Sequence, residues 1–499
     1  MNMVMDWIAH HAINQPNRVA AVDCFSQRRF TYAAFHRRVD RAATFLHAHG
    51  ARRGDRVATL SYNSTDLFEL QFACQRIGAI YVPLNWRLTP MELQRLVADC
   101  TPSVILAHED FAPNLATVDT AGAALLSLND GGPSAYEDWR PDGTPPGRAV
   151  LDSGDTWEIV YTSGSSGVPK GACITYGMAL HNCIHAGVHF GFDGASNTLT
   201  FLPMFHISGL NAYGNVAFHW GGTVHVMRTF DARQALALLR DPGLGISHVL
   251  GVPTNYLMMS EQPGFEDLEL PHVKVCAVGG APCSQTLLET YERRGITLQN
   301  VWGMTETTTA ATALSKAASR ARLGSCGRPL LHVELRLANG GTVVTEAGAH
   351  GEIEVRGPTI TPGYWNTPSR AAGDWFGTGD IAHYDDDGYL YLVGRAKDFY
   401  ISGGENVYCA EVEQALCSHD AIAQAAVISM PHPKWGEVGR AYVVFKKGYA
   451  LTPEEVITHC RSRLAKYKLP QEIVPLPEMP LLASGKIDKV SLRGVPSAA

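Results

Sequence analysis

Residues 161–171 read Tyr161-Thr162-Ser163-Gly164-Ser165-Ser166-Gly167-Val168-Pro169-Lys170-Gly171, and they follow a strand-like run that begins at Glu158. Hydroxyls, glycines and one lysine are gathered into a short loop at the end of a strand. Glycine lets successive backbone N–H groups converge on phosphate oxygens without a Cβ in the way, the hydroxyls add donors, and Lys170 adds charge. It is not a Walker A loop, because Gly171 follows the lysine where Ser or Thr would stand. A flexible Gly/Ser linker would not place Pro-Lys-Gly directly after a strand.

The pattern on either side predicts an α/β protein. Before the loop, a helix is expected over Phe35–His47, a strand over Arg56–Leu60, a helix over Asp66–Ile77 and a strand over Ala79–Pro83. Alternation of this kind implies parallel sheet with crossover helices. The Gly/Pro-rich stretch 131–147 has no periodicity and reads as a surface connection. After the loop, strands are expected over Thr198–Leu202, Thr223–Val226 and Val273–Val278, and a helix over Asp231–Leu239. From about Val333 the texture changes to hairpins, with Asp387-Gly388 a strong turn between Ile381–Tyr384 and Tyr389–Val393. A final helix, Pro453–Leu464, carries the start signals of Thr452 as N-cap and Glu455 as the capping-box partner. The expected architecture is a large N-terminal domain, residues 1–395, of stacked, mostly parallel sheets with helices plus a β-hairpin region. A small α+β C-terminal domain, residues 396–499, follows it, which the resemblance described below implies to be mobile.

At 499 residues the chain exceeds a single core, which stops growing at about 250–300 residues. A hydrophobic fraction of 45% and a net charge of -7 fit an ordinary globular protein and give no basic footprint for nucleic acid. The apolar run 421–430 is far short of the roughly 20 residues of a membrane span, so no transmembrane segment is expected. Neither a signal peptide nor a peroxisomal address is evident. The 11 cysteines are scattered without a Cys-x-x-Cys pair, as buried reduced thiols would be, which points to the cytoplasm. A homodimer is compatible with all of this.

The loop resembles the phosphate-binding signature of the adenylate-forming superfamily, which includes acyl-CoA synthetases, luciferases and the adenylation domains of peptide synthetases. Further resemblances follow in the family's order, from near Thr31-Tyr32 to Lys486, and bacterial fatty- or aryl-acid CoA ligases are the nearest match. The resemblance implies that Thr162, Ser163, Gly164, Ser165, Ser166, Gly167 and Lys170 bind ATP phosphates. Gly279-Gly280-Ala281-Pro282 resembles the turn along the adenine. Trp302-Gly303-Met304-Thr305-Glu306 resembles the aromatic-Gly-x-Thr-Glu motif, whose aromatic stacks on adenine, whose Thr approaches the α-phosphate and whose Glu helps hold Mg²⁺. The usual Tyr is Trp302 here. Asp380 matches the carboxylate that grips both ribose hydroxyls, and Arg395 the arginine beside it.

The resemblance also assigns the second half of the chemistry. Lys397 falls at the family's hinge, and Gly403, Gly404 and Glu405 fall in the loop that meets CoA during thioester formation. Cys409 stands where related enzymes commonly have Pro. Lys486, in Ser484-Gly485-Lys486, resembles the lysine that bridges the acid and ATP; Lys489 is the alternative three residues on. His206 resembles the histidine that lines and gates the acyl pocket, with Ile207, Ser208, Gly279, Gly303 and Thr309 as further lining. The implied activity is an AMP-forming acid–thiol ligase: a carboxylic acid attacks ATP to give an acyl-adenylate and pyrophosphate, then CoA displaces AMP. Thr305, Glu306, Lys486 and His206 are the expected catalytic residues, with ATP, Mg²⁺ and CoA required. The acid is expected to be a medium- or long-chain fatty acid or an aryl acid. Two alternatives remain: a stand-alone enzyme that loads a separate carrier protein, and a nucleotide-binding regulator without catalysis. The carrier would have to be another chain, since no phosphopantetheine-attachment motif follows.

Overall fold

The structure, a computed structural model, describes residues 4–140, 146–162, 169–371, 373–395, 398–402, 405–461, 463–464, 466–482 and 486–495. Among these, the strands form four sheets. The first has six strands in the order Ala124–Leu128, Val104–His108, Arg56–Leu60, Ile80–Pro83, Thr156–Thr162 and Lys170–Thr175. Its first five strands are parallel, joined by crossover helices such as Thr65–Ile77, as the alternating pattern predicts. The last pair is antiparallel, with Thr162 opposite Lys170.

A nine-stranded sheet is parallel from Leu298–Met304 through Val275–Gly279, His248–Gly251, Asn197–Thr200 and Thr223–Val226 to Val19–Asp23, with antiparallel strands at both edges. Helices Tyr32–Ala48 and Thr65–Ile77 lie between the two sheets. One apolar cluster joins Val57 and Tyr81 of the first sheet, Phe35, Phe68 and Phe72 of the helices, and Val224 and Val226 of the second. All of Thr65–Ile77 is buried in this layer, polar residues included. Those residues are matched by incoming partners: Arg28 donates to Asp66 at 2.9 Å, and Arg76 pairs with Asp6 and Asp40 at 2.9 and 2.7 Å. A buried charge requires this, because desolvation without a partner would be severe.

The hairpin region is an antiparallel sheet of five strands, Thr342–Val344, Glu334–Asn339, Gly351–Arg356, Phe376–Tyr384 and Leu390–Arg395. It packs on the nine-stranded sheet through Leu337, Ile353, Val355 and Ala382 against Trp302 and Ala311. The fourth sheet, built from 399–475, carries the helices Cys409–Cys417 and Pro453–Arg461. Both halves of the expected capping box are present: Glu455 N donates to Thr452 Oγ1 at 3.3 Å and Thr452 N to Glu455 Oε2 at 2.8 Å.

The stretch 131–147 is not simply a surface connection. Ala135–Asp138 is a short helix whose Tyr136 is fully buried and donates to Glu69 Oε2 at 2.6 Å. Four residues are too few to show helical periodicity, so the burial of a single aromatic went unsignalled.

Glu158, in the strand Thr156–Thr162, is fully buried and has no cationic partner among the described residues. Asn211 donates to its Oε2 at 2.8 Å and Gln71 to its Oε1. Burial outweighs these bonds and pushes the carboxyl from an ordinary 4.5 up to about 7. The folded protein therefore keeps a proton that the unfolded chain has lost between those values, and the stability this contributes is lost as pH rises through about 7. Glu158→Gln mimics the protonated form. Its Tm is expected to fall less than the wild type's between pH 6 and 8, read by thermal unfolding of both proteins in parallel.

Candidate active site

Three sheets meet where the sequence motifs converge. Asp380 lies near the middle of the strand Phe376–Tyr384, buried, in register with Arg395 on the neighbouring strand. Arg395 Nε sits 2.8 Å from Asp380 Oδ1, and the indole N–H of Trp302 donates to Oδ2 at 2.8 Å. Each carboxylate oxygen thus has its own donor, one from the hairpin sheet and one from the nine-stranded sheet. Trp302, read from sequence as an adenine-stacking face, is only 5% exposed and packs in the core between these sheets.

Glu306 follows in a short 3₁₀ turn, Thr305–Thr307, and all three residues are buried. Tyr364 Oη donates to Glu306 Oε1 at 2.8 Å, and the Glu306 carbonyl accepts from Thr361 N at 2.8 Å. Burial and the nearby Glu306 carboxylate push the Tyr364 phenol up, so it stays a donor. The Lys170 ammonium lies 5.2 Å from the Tyr364 ring centroid, a cation–π distance. Tyr364 also bridges to Ala172 on the strand after the phosphate loop. Sequence reasoning missed this residue. Its only local signal is Pro362-Gly363-Tyr364-Trp365, an aromatic pair in a turn, which by itself names no chemistry.

His206 begins the approach to a π-helical turn, Ser208–Ala212. Gly209 is required there, because a Cβ would come within 2.2 Å of the Pro203 carbonyl oxygen. Burial first, then the Lys486 ammonium, pulls the His206 imidazole down to about 4, so the ring is neutral at physiological pH. Lys486 itself is reachable by solvent, yet surrounding protein and then Arg395 depress its pKa, against the opposing pull of Asp380 and Glu306. Its exposed ammonium therefore feels the charges of Arg395, Asp380 and Glu306. Lys489 does not: its ammonium is held 2.5 Å from Asp398 and 2.8 Å from Glu413. That distinguishes the two candidate lysines.

Ile207 is buried and Ser208 partly so, at the head of the π turn. Gly279 ends its strand, where a Cβ would strike Val301, and Gly280, Ala281 and Pro282 continue as a partly exposed turn. Gly303 lies against the backbone of Thr309. Thr162 closes its strand beside Lys170, and Glu405 opens the strand Glu405–Tyr408. Ser163, Gly164, Ser165, Ser166 and Gly167, the hinge candidate Lys397, and Gly403 and Gly404 lie outside the described residues.

The family model of the AMP-binding enzymes matches residues 8–365, and that of the AMP-binding enzyme C-terminal domain matches 411–486. The chain belongs to the AMP-binding enzyme family. A feruloyl-CoA synthase of an Amycolatopsis species is 37% identical, over 93% of both chains. The indoleacetate–CoA ligase of Aromatoleum aromaticum is 35% identical, over 98% of this chain and 97% of its own. The o-succinylbenzoate CoA synthetase of Bacillus subtilis in complex with its acyl-adenylate OSB-AMP superposes with a TM-score of 0.89, at 29% identity and full coverage of both chains. With ATP and a magnesium ion, that enzyme superposes at 0.86, at 28% identity over 98% of this chain and 99% of its own. This member of the family is an AMP-forming acid–thiol ligase that makes acyl-CoA through an acyl-adenylate, using ATP, Mg²⁺ and CoA.

The donor set fits Mg²⁺. Among the described residues no three His, Cys, Asp or Glu side chains cluster to cage a metal. Glu306 is one buried carboxylate with an oxygen left beyond its bond from Tyr364. Mg²⁺ takes one or two carboxylates and completes its shell with phosphate oxygens and water, so a single carboxylate beside a nucleotide suffices. No helix of the described residues is long and apolar enough to cross a membrane.

Trp302→Phe keeps most of the buried ring and removes the donor to Asp380 Oδ2. The KM for ATP is expected to rise about tenfold, with little change in the KM for the acid, when initial rates are measured with each substrate varied.

Proposed function

We propose that the acid is an aryl acid, and that the residues gathered around Asp380, Glu306 and Lys486 perform the adenylation step. Support for the aryl group comes from the relatives named above, whose acids are feruloyl, indoleacetic and o-succinylbenzoic. The observation that carries the catalytic reading is Lys486. It lies near the far end of the chain in sequence, yet its ammonium acts on His206 and is acted on by Arg395, Asp380 and Glu306, which supports that reading.

In this reading Asp380 accepts from the two ribose hydroxyls, a task suited to a carboxylate already oriented by Trp302 and Arg395. Thr162, Lys170 and Ser163–Gly167 hold the phosphates, Thr305 approaches the α-phosphate, and Gly280–Pro282 run along the adenine. Magnesium, held by Glu306 and phosphate oxygens, supplies positive charge to the departing pyrophosphate. Lys486 draws the acid's carboxylate towards the α-phosphorus and stabilises charge that develops there, so catalysis is positioning and electrostatics. His206, neutral, accepts or donates one hydrogen bond beside the acyl group without adding charge to an apolar pocket lined by Ile207, Ser208, Gly279, Gly303 and Thr309.

The unit 396–499 then turns about Lys397. Lys486 leaves, and Gly403, Gly404 and Glu405 enter with CoA, whose thiolate attacks the acyl carbon and releases AMP. Eleven unpaired cysteines, nine of them buried, support a cytoplasmic setting for such a CoA-dependent enzyme.

AMP formation across fatty, aryl and hydroxycinnamic acids, each with and without CoA, tests the assignment. CoA-dependent turnover is expected with aryl acids. A preference for alkyl acids would discard the aryl reading, and turnover indifferent to CoA would discard CoA as acceptor. Lys486→Ala is expected to slow ATP–pyrophosphate exchange by at least about a hundredfold, while thioester formation from synthetic acyl-AMP persists. Equal loss of both half-reactions would count against the proposed turn of the C-terminal unit.

A further inference from the structure

Asn182 lies on the inner face of helix Tyr176–Phe190 and is 1% exposed. Nothing in the sequence motifs singles it out. Its side-chain amide Nδ2 donates to the backbone carbonyl of Asn211 at 2.7 Å, and its Oδ1 accepts from the Thr309 hydroxyl at 2.6 Å. His185 Nε2, one turn along the same helix, sits 3.2 Å from that oxygen. One carboxamide thus joins two segments that are remote in the chain.

Both segments are irregular, and both need an external clamp. Asn211 is in the π-helical turn Ser208–Ala212, whose wider winding displaces carbonyls from ordinary helical partners. Its backbone oxygen goes to Asn182 and its side chain to Glu158 Oε2 at 2.8 Å. Thr308 and Thr309 have φ of +62° and +146°, conformations that β-branched residues rarely hold unless the surroundings over-determine them. Three hydroxyl bonds do so: Thr307 to Thr309 O at 2.8 Å, Thr308 to Thr359 O at 2.8 Å, and Thr309 to Asn182. Gly303 is pressed on the same backbone, since a Cβ there would fall 1.7 Å from the Thr309 oxygen. The position of Thr309 therefore sets the position of Gly303.

We propose that Asn182 is a positioning residue that fixes the width of the acyl pocket, and with it the choice of acid, by tying the wall 207–212 to the wall 303–309. The proposal rests on the reading that Ile207, Ser208, Gly303 and Thr309 line that pocket. A carboxamide suits the task because it offers a donor and an acceptor on one rigid plane. Asp would lose the donor and turn a carboxylate towards the Asn211 carbonyl; Leu, branched at the same atom but larger, would lose both bonds. Asn182 acts on the acid's side of the cleft and has no bond to Asp380, Glu306 or Arg395 among the described residues.

The test is acid-dependent ATP–pyrophosphate exchange with wild type, Asn182→Leu, Thr309→Val and Thr309→Ser, over three aryl acids of different length, with Tm recorded for each. For Asn182→Leu and Thr309→Val the KM for the preferred acid is expected to rise about tenfold, with the selectivity ratio between acids shifted about fivefold or more and the KM for ATP within about twofold. Thr309→Ser, which keeps the hydroxyl that bonds Asn182, is expected to shift the selectivity ratio less than Thr309→Val does. If Asn182→Leu fails to fold, the Thr309 pair carries the comparison. Variants with lowered Tm but unchanged selectivity ratios would overturn the proposal while leaving the aryl-acid reading intact, as would equal rises in both KM values. A wild type that shows no exchange with any aryl acid would overturn both.

Discussion

The carboxylate of Asp380 is the point on which the site depends. Taken out of water, it needs a donor for each oxygen, and it finds them on different layers: Arg395 beside it in the hairpin sheet and Trp302 across in the nine-stranded sheet. The same two bonds therefore satisfy a buried charge and join two sheets. They also fix the orientation of both carboxylate oxygens, so little further ordering is left to that side chain.

Around this clamp the charges are arranged by access to water as much as by sign. Lys170, Arg395 and Lys486 are exposed, and Glu306 is buried under the Tyr364 hydroxyl. An ammonium close to an arginine is disfavoured unless carboxylates are near, and Asp380 and Glu306 supply that balance. His206 meets the opposite condition. Partly buried and under the influence of the Lys486 ammonium, it stays neutral.

The segments 207–212 and 303–309 are built from backbone that regular structure would not provide. A π turn, two threonines at positive φ and two glycines without room for a Cβ lie within reach of one another, and a buried polar network from Gln71 and Glu158 through Asn211 to Asn182 holds them. Such networks are demanding, because any member left unpaired costs about 1–3 kcal/mol, and that cost favours a single arrangement.

Sequence alone determined the order of the motifs, the class of fold, most strands and helices, and the capping of Pro453–Arg461, because each depends on spacing or turn chemistry within a few residues. The stretch 131–147 escaped that reading, since one buried tyrosine in a four-residue helix leaves no period. Tertiary structure alone decided that Trp302 is a donor to a carboxylate 78 residues away. It also brought Tyr364 to Glu306, put Lys486 under the influence of Asp380 and Glu306, tied Lys489 down to Asp398 and Glu413, and made Asn182 a tie between two remote segments. In each case the partner is chosen by how sheets pack on one another, and no local window of the chain contains both sides of that contact.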